Sequence, residues 1–188
     1  MSDDEISYKI CLIGDGGVGK TSLRKRFTGE EFPENYLETI GADFSSKRWV
    51  IDGQAFTFGL WDLAGQPRFE MVRKLFYRGA VGALVVGDVT RAKTFENSVP
   101  WIREFWEHNG RGKRPILIVG NKLDLRPSNV EGSGVQFVQR KHGQLLARGL
   151  SEITRKHGWE TEYAETSAKT GLSVVEVFEK IGRLVVQH

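Results

Sequence analysis

A glycine-rich segment, residues 14–21, restricts the fold and the ligand more than any other feature of this 188-residue chain. Its sequence matches the phosphate-binding loop pattern and reads Gly14-Asp15-Gly16-Gly17-Val18-Gly19-Lys20-Thr21. The apolar run 8–13 before it predicts a buried strand, and residues 20–28 after it predict a helix. In that context, successive backbone N–H groups and the helix N-terminus attract a polyphosphate. We therefore expect a polyphosphate site that extends to Ser22.

Several side chains near this segment predict a magnesium ion beside the phosphates. Lys20 is expected to neutralise the β- and γ-phosphates of a nucleotide. The hydroxyl of Thr21 is a hard oxygen ligand of the kind that Mg²⁺ prefers. Asp62 follows a predicted strand that ends at Trp61, and a carboxylate at that position can hold Mg²⁺ through water. Gly65 can present its backbone N–H to the γ-phosphate.

Two further loops predict the base. The carboxylate of Asp124 can accept hydrogen bonds from the N1–H and 2-amino groups of guanine, and adenine offers neither donor. Each charged hydrogen bond contributes about 1.5–3 kcal/mol, so two give strong discrimination. Lys122 can lay its aliphatic stem along the base, and Asn121 can tie this loop to the phosphate loop. After the last short strand, a small-residue loop with a backbone N–H suited to guanine O6 contains Ser167, Ala168 and Lys169.

Short apolar runs alternate with helical patterns, which favours a doubly wound α/β fold with a mostly parallel six-stranded sheet and helices on both faces. The predicted strands are residues 8–13, 44–51, 54–61, 81–87, 115–120 and 160–164. The predicted helices are residues 20–28, 94–108 (regular from Ser98), 135–157 (interrupted near Gly143 or Gly149) and 173–186. Asp52-Gly53 is a hairpin signal. We expect one domain over 1–188 with its chemistry in the loops at the carboxyl ends of the strands.

Composition narrows the class of protein further. The net charge is only +3, so a nucleic-acid groove or a membrane patch has little support. A single cysteine, Cys11, excludes an internal disulfide and fits a reducing compartment. The first residues are polar and acidic, unlike a signal peptide, and no apolar run has the length of a membrane span. A cytoplasmic location is therefore expected.

The four loops, in this order, resemble those of the Ras superfamily of small GTPases over nearly the whole chain, and those of the Rab family most closely. The Rab-like segments are residues 39–44 (TIGADF), 61–66 (WDLAGQ) and 76–80 (FYRGA). The resemblance implies a switch that binds GTP with Mg²⁺ and hydrolyses it slowly to GDP. It also implies an exchange factor, a GTPase-activating protein and effectors as partners, and a role in membrane traffic or signalling.

The resemblance also implies roles at single positions. Thr39 is expected to bind Mg²⁺ through its hydroxyl and the γ-phosphate through its backbone N–H. Phe32 is expected to pack against guanine, and Tyr36 to cover the phosphates. Gln66 is expected to orient the attacking water, and Gly16 to leave room for that water and for an inserted arginine. A further set is expected to form a partly exposed effector surface, with burial in the core as the alternative: Phe44, Trp61 and Phe76.

The chain also departs from the Rab pattern. Leu63 replaces the usual Thr, and Pro67 replaces the usual Glu and biases Gln66 away from helical backbone. The region 125–160 is enlarged. The last residues, 184–188, contain no cysteine for a lipid. That ending fits a removed tail or a parent without a lipid anchor, such as an archaeal relative. Two alternative functions stay open: a GTP-loaded scaffold with little hydrolysis, and a small-molecule kinase.

Overall fold

A computed structural model describes residues 7–31, 38–127 and 137–188. Six strands form one sheet in the order β2-β3-β1-β4-β5-β6. The strands are β1 (Ser7–Ile13), β2 (Ala42–Ile51), β3 (Gln54–Leu63), β4 (Gly82–Asp88), β5 (Ile116–Asn121) and β6 (Glu162–Glu165). Only the β2–β3 pair is antiparallel. The predicted mostly parallel six-stranded sheet is therefore confirmed.

Helices pack on this sheet between the strands. They are α1 (Lys20–Thr28), α2 (Glu70–Tyr77), α3 (Ala92–Glu96), α4 (Ser98–His108), α5 (Arg140–Thr154) and α6 (Val174–Gln187). The region predicted as one helix over 94–108 is two helices, and the second begins at Ser98 as Pro100 indicated. The predicted interruption of α5 is wrong, because the helix continues through Gly143. A Cβ there would lie 2.3 Å from the Tyr163 ring, so glycine allows close packing rather than a break.

The two faces of the sheet carry separate apolar clusters. Along β1, Ile10 and Leu12 point to the cluster that includes Phe178 of α6. Cys11 and Ile13 point to the opposite cluster, which is closed by α4 and α5. Because helices cover both faces, the central strands are continuous apolar runs, as expected for parallel strands buried on both sides. Cys11 is a fully buried core residue, as predicted.

The β2–β3 hairpin is longer than its sequence pattern predicted. Its turn has positive φ at both Asp52 (51°) and Gly53 (82°), the backbone of the favoured two-residue hairpin turn. The paired strands extend to Ala42 and Leu63, so Asp62 belongs to the end of β3 rather than to a loop. The hairpin therefore delivers both of its outer ends to the edge of the sheet where the parallel strands end.

This edge collects the loops that the sequence singled out. The loops after β1, β3, β5 and β6 all leave carboxyl ends of strands, where ligands bind in open α/β sheets. None of the helices in the described ranges has the length and apolar character to cross a membrane.

Candidate functional site

The phosphate loop closes around a buried ammonium group. Lys20, at the start of α1, is 6% exposed. Its Nζ donates to the carbonyl oxygens of Gly14 (2.7 Å) and Asp15 (2.9 Å). Burial lowers the pKa of Lys20 to about 8, while the nearby carboxylates of Asp62 and Asp15 oppose that shift. A polyanion bound to the backbone N–H groups of the loop would bring negative charge next to this buried ammonium group and would stabilise it.

The carboxylate of Asp15 is turned away from the centre of the loop. It accepts hydrogen bonds from Asn97 Nδ2 (2.8 Å) and Trp101 Nε1 (2.7 Å) in the α3–α4 segment. Its side chain therefore anchors the loop to the helices behind it. Asp15 can therefore contact a nucleotide only through its backbone N–H. The neighbouring Gly17 and Val18 likewise offer backbone N–H groups.

Three oxygen-bearing side chains converge next to the loop. The hydroxyls of Thr21 and Thr39 lie 2.9 Å apart, and the Thr39 hydroxyl donates to Asp62 Oδ2 at 3.2 Å. Thr21 also donates to that oxygen. The other carboxylate oxygen, Asp62 Oδ1, is buried without a hydrogen-bond partner among the described residues, and burial raises the pKa of this carboxyl group.

This oxygen set fits Mg²⁺. Two hydroxyls and one carboxylate are hard ligands, and they leave coordination positions for water and phosphate oxygens. A cation would also compensate the buried Asp62. The described part of the chain holds no group of three or more His, Cys, Asp or Glu side chains placed to bind a metal ion. The two hydroxyls and the Asp62 carboxylate suit a magnesium ion that would be shared with phosphates.

Gln66 lies over the phosphate loop. Its backbone is extended (φ −81°, ψ 142°), as Pro67 predicted. A Cβ added to Gly16 would lie 3.7 Å from Gln66 Nε2, an ordinary contact distance. The described contacts therefore do not themselves require glycine at position 16, and the need for room for water and an inserted arginine stays a prediction. Gly65 is different, because a Cβ there would lie 2.5 Å from the Gly16 nitrogen and only glycine allows this approach.

A separate pocket of about 270 Å³ opens beside the phosphate loop. Its lining residues are Gly19, Ser22, Asn121, Lys122, Asp124, Leu125, Ala168 and Lys169. Asn121 connects the phosphate loop to the loop after β6. Its Nδ2 donates to Val18 O (2.9 Å), and its Oδ1 accepts from Thr166 Oγ1 and Ala168 N (3.1 Å each). The N–H of Ala168 is thus already engaged, and a guanine O6 would share it with Asn121.

The remaining predicted base residues surround the same pocket. Asp124 is exposed, and its Oδ1 accepts from Ser167 Oγ at 2.6 Å, which orients the carboxylate. Lys122 has left-handed backbone (φ 67°), and its Nζ lies 2.7 Å from Asp88 Oδ2. Hence the loops after β5 and β6 form one wall, with a carboxylate at the rim and an aliphatic stem along the side.

The three aromatic residues predicted as an effector surface are in contact with one another. The Phe44 and Trp61 ring centroids are 5.0 Å apart, and those of Trp61 and Phe76 are 5.4 Å apart. Phe44 is 51% exposed, whereas Trp61 and Phe76 are half-buried against the core. The alternative of complete burial is therefore wrong. Exposed apolar residues in the segments before β2 and on α2 are Ile40, Met71, Val72 and Leu75.

Two of the predicted site residues are not described by the structure. Phe32 and Tyr36 lie outside the described residues. The enlarged region 125–160 is described on both sides of residues 128–136. Arg126 pairs with Glu165 at 2.7 Å and donates to the Val138 carbonyl, so one guanidinium joins both flanks of that segment to the end of β6.

Sequence analysis missed two arginines that donate to backbone carbonyls around the phosphate loop, the buried Arg73 and the more exposed Arg91. Arg73 on α2 donates to the carbonyls of Ala64 (2.9 Å) and Gln66 (3.2 Å). Arg91, in the turn after β4, donates to the carbonyl of Gly16 at 3.1 Å. No local pattern identifies these contacts, because their partners are far away in sequence.

The strand, loop and helix arrangement, the oxygen-lined ion site and the separate base pocket define a nucleotide-binding protein of the phosphate-loop class. The family model described as the Ras family matches residues 9–187. The Ypt/Rab-type GTPase YPT7 of Saccharomyces cerevisiae is 39% identical over 184 residues, which covers 96% of this chain and 82% of the yeast protein. Rab11D of Lotus japonicus is 45% identical over 168 residues, covering 86% and 75%. Rab-13 of Mesocricetus auratus is 36% identical over 176 residues, covering 94% and 78%.

The chain therefore belongs to the Ras family, and it is a Rab-like small GTPase. As such it is a switch that binds GTP and GDP and hydrolyses GTP. These relatives come from a yeast, a legume and a hamster, and they give no support to the suggested archaeal origin.

Proposed function

We propose that residues 1–188 form a single GTP-binding domain with an enlarged 125–160 region, and that it regulates membrane traffic or signalling from the cytoplasm. The observation that carries the proposal is the pairing of two neighbouring sites. A pocket for a base, with Asp124 at its rim, lies beside a phosphate loop whose Lys20 is buried. Both sites are at the carboxyl edge of one sheet, as a nucleoside polyphosphate requires.

Guanine is the base that this pocket suits. The Asp124 carboxylate accepts from the N1–H and 2-amino groups, while Ala168 N–H donates to O6. The stem of Lys122 covers one face of the ring, and Phe32 is proposed to cover the other side. Adenine lacks both donors, so it would leave Asp124 unpaired. Its amino group at the O6 position would also face the Ala168 N–H, which is another donor.

The phosphates lie over the loop residues 15–21 and Ser22, with Lys20 as their main cation. Thr21, Thr39 and Asp62 would hold Mg²⁺, directly or through water. When bound, the ion draws charge from the phosphate oxygens and so assists phosphoryl transfer. The N–H groups of Gly65 and Thr39 bind the γ-phosphate, and Tyr36 covers it.

Hydrolysis needs a water placed in line with the γ-phosphate. Gln66 is proposed to accept a hydrogen bond from that water through its amide oxygen and to donate one through its amide nitrogen. Its amide lies over Gly16, and its Oε1 is buried without a partner among the described atoms, so it has a free acceptor for a water proton. The position of Gln66 disfavours the scaffold alternative, and the base pocket disfavours a kinase.

Partners are proposed to bind the switch surface. Phe44, Trp61 and Phe76 form its aromatic centre, and the exposed Ile40 and Leu75 extend it. Aromatic residues contribute much of the energy at protein interfaces. Regulators and effectors that recognise the nucleotide state would meet these residues.

The test is a change of base specificity. We expect tight binding of GDP and little binding of ADP in equilibrium titrations with Mg²⁺. Asp124→Asn should weaken GDP binding severely and favour xanthosine diphosphate, because xanthine has a carbonyl in place of the 2-amino group. Leu125→Ala, a change in the same pocket wall without a polar contact, is the matched control. Full GDP affinity in Asp124→Asn would refute the base assignment.

A further inference from the structure

The carboxylate of Asp88 lies between the two halves of the nucleotide site. β4 pairs with β1 on one side and with β5 on the other, and Asp88 is its last residue. The phosphate loop follows β1, and the base loop follows β5. Asp88 is 1% exposed, so its charge is held inside the protein between these loops.

The two oxygens of this carboxylate have separate partners. Oδ1 accepts from the backbone N (2.9 Å) and the hydroxyl (2.7 Å) of Thr90, which shapes the turn after β4. Oδ2 accepts from two cations, Lys122 Nζ at 2.7 Å and Arg91 Nε at 3.0 Å. Burial alone would raise the pKa of Asp88, but the hydrogen bonds from Lys122 and Thr90 lower it below its usual value.

Each of the two cations leads to one half of the site. Arg91 continues from Asp88 to the carbonyl of Gly16, which it meets at 3.1 Å. Lys122 lines the base pocket, and its backbone has φ 67°, a left-handed conformation that is uncommon for a side chain of this size. The ion pair with Asp88 fixes the direction in which this strained residue points its stem.

We propose that Asp88 is a positioning residue that couples the base loop to the phosphate loop by holding Lys122 and Arg91 on one oxygen. The proposal rests on the proposed guanine-nucleotide site. Because both cations share one buried acceptor, a shift of either loop changes the pairing of the other. Nucleotide affinity then depends on the two loops jointly rather than as independent contributions.

A purely structural role in the turn is the simpler explanation, and it accounts for only half of the contacts. Shaping the turn uses Oδ1 and Thr90, but it requires neither Lys122 nor Arg91 on Oδ2. Asp88→Asn separates the two roles, because the amide oxygen still accepts from Thr90 while the amide nitrogen faces two cations. Thr90→Ala makes the complementary change, since it weakens the turn and keeps the shared oxygen.

The first measurement is the rate of GDP release from protein saturated with Mg²⁺ and GDP. We expect Asp88→Asn to accelerate release by roughly 10- to 100-fold, the factor that corresponds to one lost charged hydrogen bond. Thr90→Ala should change release much less. Lys93→Met is the control for charge, because Lys93 is 74% exposed and pairs only with Glu96 among the described contacts. Release from Asp88→Asn at the wild-type rate would overturn the proposal.

The second measurement is a double-mutant cycle on GDP affinity with Arg91→Met and Lys122→Met. Either single change leaves Asp88 paired with the other cation, whereas the double change leaves a buried carboxylate without a cation. The double variant should therefore lose more affinity than the product of the single losses, by roughly 3- to 100-fold. In an Asp88→Asn background the losses should simply multiply.

Multiplicative losses in the wild-type background would overturn the coupling, and so would an excess that persists with Asp88→Asn. The cycle in the wild-type background decides the matter even where Asp88→Asn does not fold. Failure of wild-type protein to bind GDP is a different result, because it would refute the guanine-nucleotide site and not the link through Asp88.

Discussion

The guanidinium of Arg73 forms a two-armed ion pair with Glu104, at 2.8 and 3.1 Å, and so joins α2 to α4. Arg73 is 3% exposed and its guanidinium lies 4.2 Å from the centre of the Trp101 ring. Removal of one partner of a buried pair leaves the other charge unpaired, which is far more costly than loss of a surface pair.

Arg73→Ala is expected to lower the free energy of unfolding by about 3–5 kcal/mol, measured by urea denaturation of the GDP-loaded protein. Lys74→Ala is the matched control on the same helix, since Lys74 pairs with Glu70 at the surface, and it should leave the midpoint unchanged. Equal midpoints for the two variants would show that the Arg73 pair contributes little.

Hydrolysis is expected to be slow without a partner. Wild-type protein should release phosphate on the order of 10⁻⁴ s⁻¹ under single-turnover conditions, and an activating protein that inserts an arginine should raise the rate by roughly 10³–10⁵. Gln66→Leu should reduce both rates at least about tenfold, because a positioned catalytic group contributes about that much or more. GTP affinity, measured in parallel, should stay unchanged. If Gln66→Leu hydrolyses GTP at the wild-type rate, the scaffold alternative becomes the better account.

The oxygen ligands proposed for Mg²⁺ should distinguish GTP from GDP. Thr21→Asn is expected to weaken GTP binding more than GDP binding, because the ion that Thr21 would hold would neutralise one more phosphate in GTP than in GDP. Lys20→Ala should weaken both severely, since the polyphosphate loses its main side-chain cation. Calorimetric titrations with Mg²⁺ and with EDTA give the comparison. With EDTA, Thr21→Asn and wild type should converge, and a difference that persists would argue against a role in ion binding.

The thiol of Cys11 is expected to report global unfolding. Burial raises its pKa from the ordinary 9.0 to about 12, with Lys9 acting weakly in the opposite direction. The folded state therefore keeps its proton where the unfolded chain loses it. Between pH 9 and 12 the stability of wild type should fall relative to Cys11→Ala by about 1.4 kcal/mol per pH unit.

That fall should be absent at neutral pH, where both states are protonated. A thiol reagent at pH 8 should modify the folded protein only as fast as the protein unfolds. Rapid modification of folded protein, without loss of its circular dichroism signal, would contradict full burial of Cys11.

The sequence was sufficient to predict the sheet, the four loops and their order, because each signal is local. Lys20 and Thr21 are identified by the spacing of their own loop, and the Asp52-Gly53 turn by two adjacent residues. Pro67 correctly predicted extended backbone at Gln66, since a proline restricts the residue before it.

The long-range arginine contacts were not predictable from the sequence, because their partners are distant along the chain. Arg73 and Glu104 are 31 residues apart, and Arg91 and Gly16 are 75 residues apart. The residues next to an arginine in the sequence do not show whether its guanidinium binds a distant carbonyl or only water. The uninterrupted α5 is a similar case, because only the Tyr163 ring explains Gly143.

The pairing of β2 with β3 has a mechanical consequence. Ala42 lies opposite Leu63 and Asp43 opposite Asp62, so the segments that contain Thr39 and Gln66 leave neighbouring points of one hairpin. Neighbouring strands are only about 4.8 Å apart. Arg24 forms an ion pair with Asp43 at 2.6 Å, and the hydroxyls of Thr21 and Thr39 donate hydrogen bonds to Asp62. A displacement of either segment by a bound regulator would therefore reach the other segment across one pair of hydrogen-bonded strands, without a change in the rest of the sheet.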